Sequence, residues 1–327
     1  MNLAIFEYRN VIQIIEMFIN FETITTRFYG NYRQATFVNH NKRIIMIIRL
    51  SILSLLTLFL MASCASKKIK DVCYISANLK TESNQPKLNI FTKRKLSDKK
   101  MPVLIFVHGG NWNTGNKDQY GFFGRNFAKK GIVTIIPDYT LSSDADYKMM
   151  TRQVAEVILW AKANVQKYGG DTEQIYITGH SAGGHLAALA TLDPQYGIKP
   201  GAISGIILND AAGLDMKNYL EENPPTETNN YDVTWGKDPS GWRNASPVYY
   251  LDENAPPFLI YIGQKTYPSI KVANERFLKR LHGFQPKVKP ISVNKSHVPM
   301  ILQYIFPWSD RYKEVIDFMK IHKKNAL

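Results

Sequence analysis

The chain has 327 residues, of which 45% are hydrophobic and 12% aromatic, enough to bury a large core in a single domain. Its formal charge is +14, yet basic runs such as Lys67-Lys68-Ile69-Lys70 and Lys93-Arg94-Lys95 are short and lack interleaved aromatics. That argues against a nucleic-acid partner and for a solvated or membrane-facing surface.

The first compositional break lies between Arg49 and Lys67, where the apolar run Leu50–Ala62 follows basic residues and ends in Ser63-Cys64. A membrane-spanning helix needs about 20 apolar residues. This run is shorter and fits the apolar segment of a cleaved export signal, with small residues at its end. Leu60-Met61-Ala62-Ser63-Cys64 resembles a bacterial lipobox, which implies diacylglycerol on Cys64 and a membrane-anchored lipoprotein on the periplasmic or cell-surface side. With Cys64 acylated, Cys73 has no partner, and the fold must stand on its core alone. Residues 1–45 sit awkwardly ahead of such a signal, and Met46-Ile47-Ile48-Arg49 supplies the short basic start it needs. The expected organisation is therefore an upstream extension at 1–45, a signal peptide at 46–63, a tether and first strand at 64–86 and a catalytic domain at 87–327. Removing Met1–Ser63, with six basic and three acidic residues, lowers the charge from +14 to +11.

Asp71–Leu79 and Lys87–Phe91 alternate as opening strands, and Met101–Val107 is a continuous apolar run suited to a strand buried on both faces. A helix is expected over Gly121–Lys129, a strand over Ile132–Ile136 and an amphipathic helix over Ala145–Lys167, closed by Gly169-Gly170. The strand Gln174–Thr178 then runs into Gly179-His180-Ser181-Ala182-Gly183 and a further helix. Ala202–Leu208, Pro257–Ile262 and Lys287–Val293 complete the strands. Asp215–Leu251, rich in Asn, Pro, Trp and Tyr, is too long for a plain connection and reads as a cap insertion after the sixth strand. The alternation predicts an α/β fold with a mostly parallel central sheet and helices on both faces.

Gly179-x-Ser181-x-Gly183 between a strand and a helix matches a nucleophile elbow, where small residues permit the sharp turn that projects a serine hydroxyl. The turn also aims the N–H of Ala182 at a developing oxyanion. His108-Gly109-Gly110-Asn111-Trp112 follows the strand ending at Val107, where a second donor set is needed; Gly110 and Asn111 are assigned to it, with Gly109 the alternative. A serine hydroxyl needs a base, and His297, beyond the last core strand, is best placed among the histidines. Trp112, Trp235 and Trp242 are expected to pack the insertion on the sheet rather than to line a pocket.

His108–Trp112, Pro137-Asp138-Tyr139 and Gly179–Gly184, taken in this order, resemble the esterase and kynurenine-formamidase-like branch of the α/β hydrolases, over most of the chain from about Lys87. The resemblance implies an acyl-serine mechanism on short carboxylic esters, acyl groups of polysaccharides or N-formylkynurenine, with neither metal nor organic cofactor. It also implies an Asp in a Gly-x-x-Asp segment after the strand Pro257–Ile262, and here that segment is Gly263-Gln264-Lys265-Thr266. The favoured replacement is Asp210, at the end of the strand Ala202–Leu208. Glu275 and Asp215 are alternatives, as is orientation of His297 by Thr266 or a carbonyl. The chain is thus expected to be a serine hydrolase of carboxylic esters, acting on short acyl groups of external substrates such as glycans. An arylformamidase or amidase using the same residues, and a non-catalytic lipid-tethered binding module, are the competing readings.

Overall fold

The computed structural model of the protein describes residues 66–76, 85–226 and 231–323, together with Met46 and Ser51. The chain divides after Ala62, and the fold below is that of Ser63–Leu327. The expected upstream extension, the signal peptide at 46–63 save for Met46 and Ser51, and Cys64 lie outside the described residues.

Eight strands form one sheet in the order β1-β2-β4-β3-β5-β6-β7-β8: β1 Ser66–Cys73, β2 Lys87–Lys93, β3 Met101–Val107, β4 Val133–Pro137, β5 Gly170–His180, β6 Gly205–Asn209, β7 Phe258–Lys265 and β8 Ile291–Ser296. Among the described residues only the pairs β1–β2 and β2–β4 are antiparallel. From β4 to β8 every pair is parallel, which leaves the loops after β3, β5, β6, β7 and β8 at one edge. Helices cover both faces of the parallel part, and β3 and β4 accordingly contain no exposed residue. On one face lie α2 (Tyr147–Asn164), α3 (Ala182–Leu192) and α6 (Pro268–Leu281), through residues such as Val154, Leu186 and Phe277. On the other lie α1 (Gly121–Lys129), the short α7 (Pro299–Leu302) and α8 (Asp310–Ile321), through Phe123, Phe127, Met300, Tyr312 and Phe318.

The long amphipathic segment becomes α2 only over Tyr147–Asn164. Asp146 caps its start by accepting from the Met149 N–H, and a single 3-10 turn, Val165–Tyr168, leads to Gly169 at φ 82°. β1 differs more, beginning five residues before the expected Asp71. Ser66-Lys67-Lys68-Ile69-Lys70 has the composition of a tether, but an edge strand tolerates lysines because its outer side faces water. Lys68 pairs with Asp118 at 2.6 Å, and Asp71 stands at φ 56° where the β1–β2 register shifts.

Residues 215–251 contain α4 (Met216–Glu222) and α5 (Tyr231–Trp235) with two single 3-10 turns. Trp235 and Trp242 are 3% and 4% exposed and pack inward. The Trp235 ring stands edge-on to Trp112 at 4.8 Å and to His185 at 5.5 Å, and stacks on Tyr147 at 5.6 Å. One indole therefore joins the insertion to the loop after β3, to α3 and to α2. Trp235→Ala is expected to cost about 3–5 kcal/mol, read as a shift of the urea midpoint.

Candidate active site

The sharpest local constraint is the turn from β5 into α3. A Cβ on Gly179 would lie 2.3 Å from the Gly183 backbone, and one on Gly183 would lie 2.1 Å from the carbonyl oxygen of Val107. Only glycine permits either approach, and the turn places Ser181 at φ 55°, a conformation costly for a side-chain-bearing residue. Backbone bonds hold it there: the Ser181 N–H donates to Asn209 O at 3.4 Å, and Ser181 O accepts from Gly184 N at 2.9 Å and Ala212 N at 3.2 Å.

His297 follows β8. Its Nε2 accepts from the Ser181 hydroxyl at 2.8 Å, and its Nδ1–H donates to Asp210 Oδ2 at 2.6 Å. Asp210, fully buried, follows β6 at φ 52°, and its N–H donates to Tyr261 O on β7. Its carboxylate is held on both oxygens. Oδ1 accepts from Gly263 N at 2.8 Å, and Oδ2 accepts from the Thr266 hydroxyl at 2.5 Å as well as from His297. Thr266 Oγ1 also lies 3.4 Å from His297 Nδ1.

The structure brings Ser181, His297 and Asp210 together. Glu275 lies apart, beside Gln264 and Lys271, in a shallow depression that holds no part of this constellation. Asp215 borders the cleft but caps α4 and accepts from Arg276 Nε at 2.5 Å, so its charge is already matched.

Gly110, Asn111 and Trp112 all have positive φ, at 125°, 49° and 58°, and curl the loop after β3 over Ser181. Gly110 O accepts from Thr114 N and from the Thr114 hydroxyl, both at 2.9 Å, which closes the curl. The N–H groups of Gly110, Asn111 and Ala182 donate to no acceptor among the described residues. For Ala182 this follows from its place in the first turn of a helix, where N–H groups have no intrahelical partner. Gly109 packs on the His180–Ser181 backbone, where a Cβ would lie 2.8 Å from His180 O. Tyr139, in Pro137-Asp138-Tyr139, donates to His108 O at 3.0 Å and stacks on the His108 ring at 4.5 Å, bracing the loop from below.

Two histidines that the sequence places only within motifs have positions of their own. The Nε2–H of His180 donates to the carbonyl of His297 at 3.0 Å, with the two rings 4.6 Å apart. Burial, and then the neighbouring His297, lower its pKa to about 4, so it stays neutral beside a base that must take up a proton. His185 accepts from Trp112 Nε1 at 3.2 Å and donates through Nε2 to Ala245 O at 2.7 Å, and burial lowers its pKa to about 4. Its buried, two-bonded position links the loop after β3 to the insertion. The signal in both cases is a histidine within or just after Gly-x-Ser-x-Gly, but the carbonyls they donate to, 117 and 60 residues away, are fixed only by the fold.

The cleft over Ser181 has a volume of about 620 Å³. Its walls are mostly apolar or aromatic, including Met216, Tyr219, Tyr231, Tyr267, Ile270 and Val298. Tyr231 reaches from the insertion to Asn111 Oδ1 at 3.5 Å. Among the described residues no group of three or more His, Cys, Asp or Glu side chains is arranged to hold a metal. The arrangement can deprotonate a serine as it attacks a planar carbon, and it has free N–H donors for the oxygen that becomes negative.

The sheet, the turn at Ser181 and the loop after β3 define an α/β-hydrolase fold. Residues 88–279 match the BD-FAE family, and the chain belongs to that family. It is similar to Esterase LipC of Mycobacterium tuberculosis, 32% identical over 191 residues, covering 54% of this chain and 47% of that protein. It is also similar to kynurenine formamidase of Danio rerio, 26% identical over 229 residues, covering 68% and 74%. The chain spans about half the length of the mycobacterial esterases it matches, LipC at 47% and LipQ at 45%. Among solved structures, esterase B from Lactobacillus rhamnosis superposes with a TM-score of 0.64 at 18% identity, covering 87% of this chain and 96% of the other. A truncated carbohydrate esterase from gut microbiota gives 0.66 at 21% identity, covering 80% and 98%.

Asp210→Asn is expected to slow labelling of Ser181 by a fluorophosphonate about 10³- to 10⁴-fold. Thr266→Val, which removes one donor to the carboxylate, should slow it about tenfold to a hundredfold. Labelling time courses on the purified variants check both. A second expectation concerns acid. His180 and His185 have folded pKa values of about 4 against 6.5 for a free histidine. Between those values the unfolded chain binds more protons, so stability rises with pH across the window and falls as pH drops from 6.5 towards 4. His185→Gln keeps a donor and an acceptor but does not titrate, and is expected to flatten the melting temperature measured over that range.

Proposed function

We propose that the protein hydrolyses carboxylic esters through an acyl-serine intermediate, with Ser181 as nucleophile, His297 as base and Asp210 as orienting acid. The observation that carries this reading is the unbroken chain from Ser181 Oγ through His297 to Asp210, at 2.8 and 2.6 Å, beside three unengaged N–H groups. His297 takes the hydroxyl proton as Oγ attacks the carbonyl carbon, and the imidazolium is stabilised by the Asp210 carboxylate. Negative charge collects on the former carbonyl oxygen, towards which the N–H groups of Gly110, Asn111 and Ala182 are free to donate. His297 then protonates the departing alkoxide, and water repeats the sequence to release the acid and restore Ser181.

The cleft suits a neutral acyl group, since the one carboxylate among its described lining residues, Asp215, is already engaged by Arg276. Short acyl groups on external substrates such as glycans are the preferred natural esters. That preference rests on the resemblance of residues 46–64 to a lipoprotein signal peptide followed by its lipidated cysteine, a reading under which the enzyme is exported. The similarity to a kynurenine formamidase favours one alternative, cleavage of a formamide by the same groups. Parallel assays on p-nitrophenyl acetate, acetylated and feruloylated xylan, and N-formylkynurenine separate the two. Ester turnover that vanishes in Ser181→Ala is expected. Turnover of N-formylkynurenine alone would replace the ester reading with the formamidase, and a wild-type chain inert to every substrate would favour the tethered binding module.

A further inference from the structure

The opposite end of the sheet carries a second groove, of about 420 Å³, for which ester hydrolysis has no use. Lys93, at the end of β2, and Lys95, Lys99 and Lys100, from the loop before β3, form one side of it. Lys130, just after α1, and Lys320 and Lys323, at the end of α8, form the other. All seven are exposed, and among the described residues no carboxylate and no aromatic ring lines the groove. Of the seven, only Lys320 has a carboxylate partner among the described residues, Asp317 at 3.3 Å, while Lys130 lies over the Tyr312 ring at 4.9 Å. Like charges gathered from three separate chain segments repel one another unless an anion lies among them.

We propose that this groove docks the protein on an anionic membrane surface. Three observations favour lipid headgroups over a soluble polyanion. The floor is aliphatic, built from Met101, Pro102, Ile132, Ile316 and Met319, and offers no ring on which a sugar could stack. Ser66 pairs with Lys93 across β1 and β2, so the chain enters the fold beside the groove. Cys64 lies two residues before Ser66, so a lipid on it would hold a bilayer within a short reach of the groove. A polybasic patch beside such a lipid adds electrostatic attraction to anionic headgroups and fixes which face of the protein meets them. The same strands set the orientation. Met101 of β3 and Gln174 of β5 border the groove, whereas Val107 and His180 end those strands at Ser181. Docking therefore turns the catalytic cleft away from the bilayer, a strand length of about 20 Å further out.

Flotation of the full chain with vesicles tests this, using phosphatidylcholine alone and phosphatidylcholine mixed with phosphatidylglycerol. A groove variant carries Lys95→Gln, Lys99→Gln, Lys100→Gln, Lys320→Gln and Lys323→Gln. A charge-matched control carries Lys148→Gln, Lys167→Gln, Lys199→Gln, Lys279→Gln and Lys289→Gln at exposed sites outside the groove. Unfolding midpoints matching the wild type establish that both are folded. The expected result is about tenfold weaker binding of the groove variant to anionic vesicles, with the control near wild type and all three chains alike on phosphatidylcholine. Equal binding of the groove variant and wild type, or an equal loss in the control, overturns the proposal. So does retention of the wild type on immobilised polygalacturonate that anionic vesicles fail to displace, which would assign the groove to an acidic glycan.

Discussion

The contact on which the site depends is that of the first turn of α3 with the end of β3, where Gly183 leaves no room for a Cβ against Val107 O. It draws the helix start carrying the Ala182 N–H alongside the strand whose next residues are His108–Trp112. Unengaged N–H groups at Asn111 and Ala182, 71 residues apart (182 − 111), thus share one small volume with Ser181. The strained φ of Ser181 is a consequence of the same turn, and the bonds from Asn209, Ala212 and Gly184 hold it in place. A larger residue at 183 would separate two elements whose only chemical use is to be adjacent.

Asp210 is held by a different logic. In the parallel order β5-β6-β7-β8, the loops after β6 and β7 are neighbours, and both approach the imidazole that follows β8. Thr266 stands on the β7 side and Asp210 on the β6 side, and they share one proton network: the hydroxyl donates to the carboxylate that His297 also addresses. Of the two, only Asp210 carries charge. Gly263 N and the Thr266 hydroxyl occupy the carboxylate sites that His297 does not use, and that fixes the direction of its remaining lone pairs. The φ of 52° at Asp210 is what turns the side chain across to β7, and aspartate tolerates that conformation better than most residues.

Much of this architecture is legible in the sequence because it depends on local pattern. Met101–Val107 and Gly121–Lys129 are observed at their expected bounds, since a buried run and an amphipathic turn state their own geometry. Gly-x-Ser-x-Gly fixes its turn through sterics within five residues. Strand ends are less legible: β6, β7 and β8 continue through Asn209, Lys265 and Ser296, polar residues that a parallel ladder accommodates but a hydrophobic run does not announce. β1 is the clearest case, since Ser66–Lys70 resembles linker until β2 offers it an edge. His180 and His185 both donate to carbonyls, and a carbonyl has no sequence signature. The choice of Asp210 among the carboxylates considered depends on which strands are neighbours, a property of topology that no window of residues contains.

That topology also separates the molecule's two ends by chemistry. At the C-terminal ends of the parallel strands the loops must leave backbone N–H groups unpaired and a serine strained, so this edge is dense in glycine and supported by buried side-chain bonds such as Trp112 to His185. At the N-terminal ends no such demand exists, and the connections are short, polar and free to carry charge. Lys95, Lys99 and Lys100 occupy such a connection, where substitution disturbs neither the packing of β3 nor the loop beyond it. A parallel sheet with all its crossovers covered thus gives one edge over to reactivity and leaves the other available for attachment. The rigid strands between them keep the two at a fixed distance.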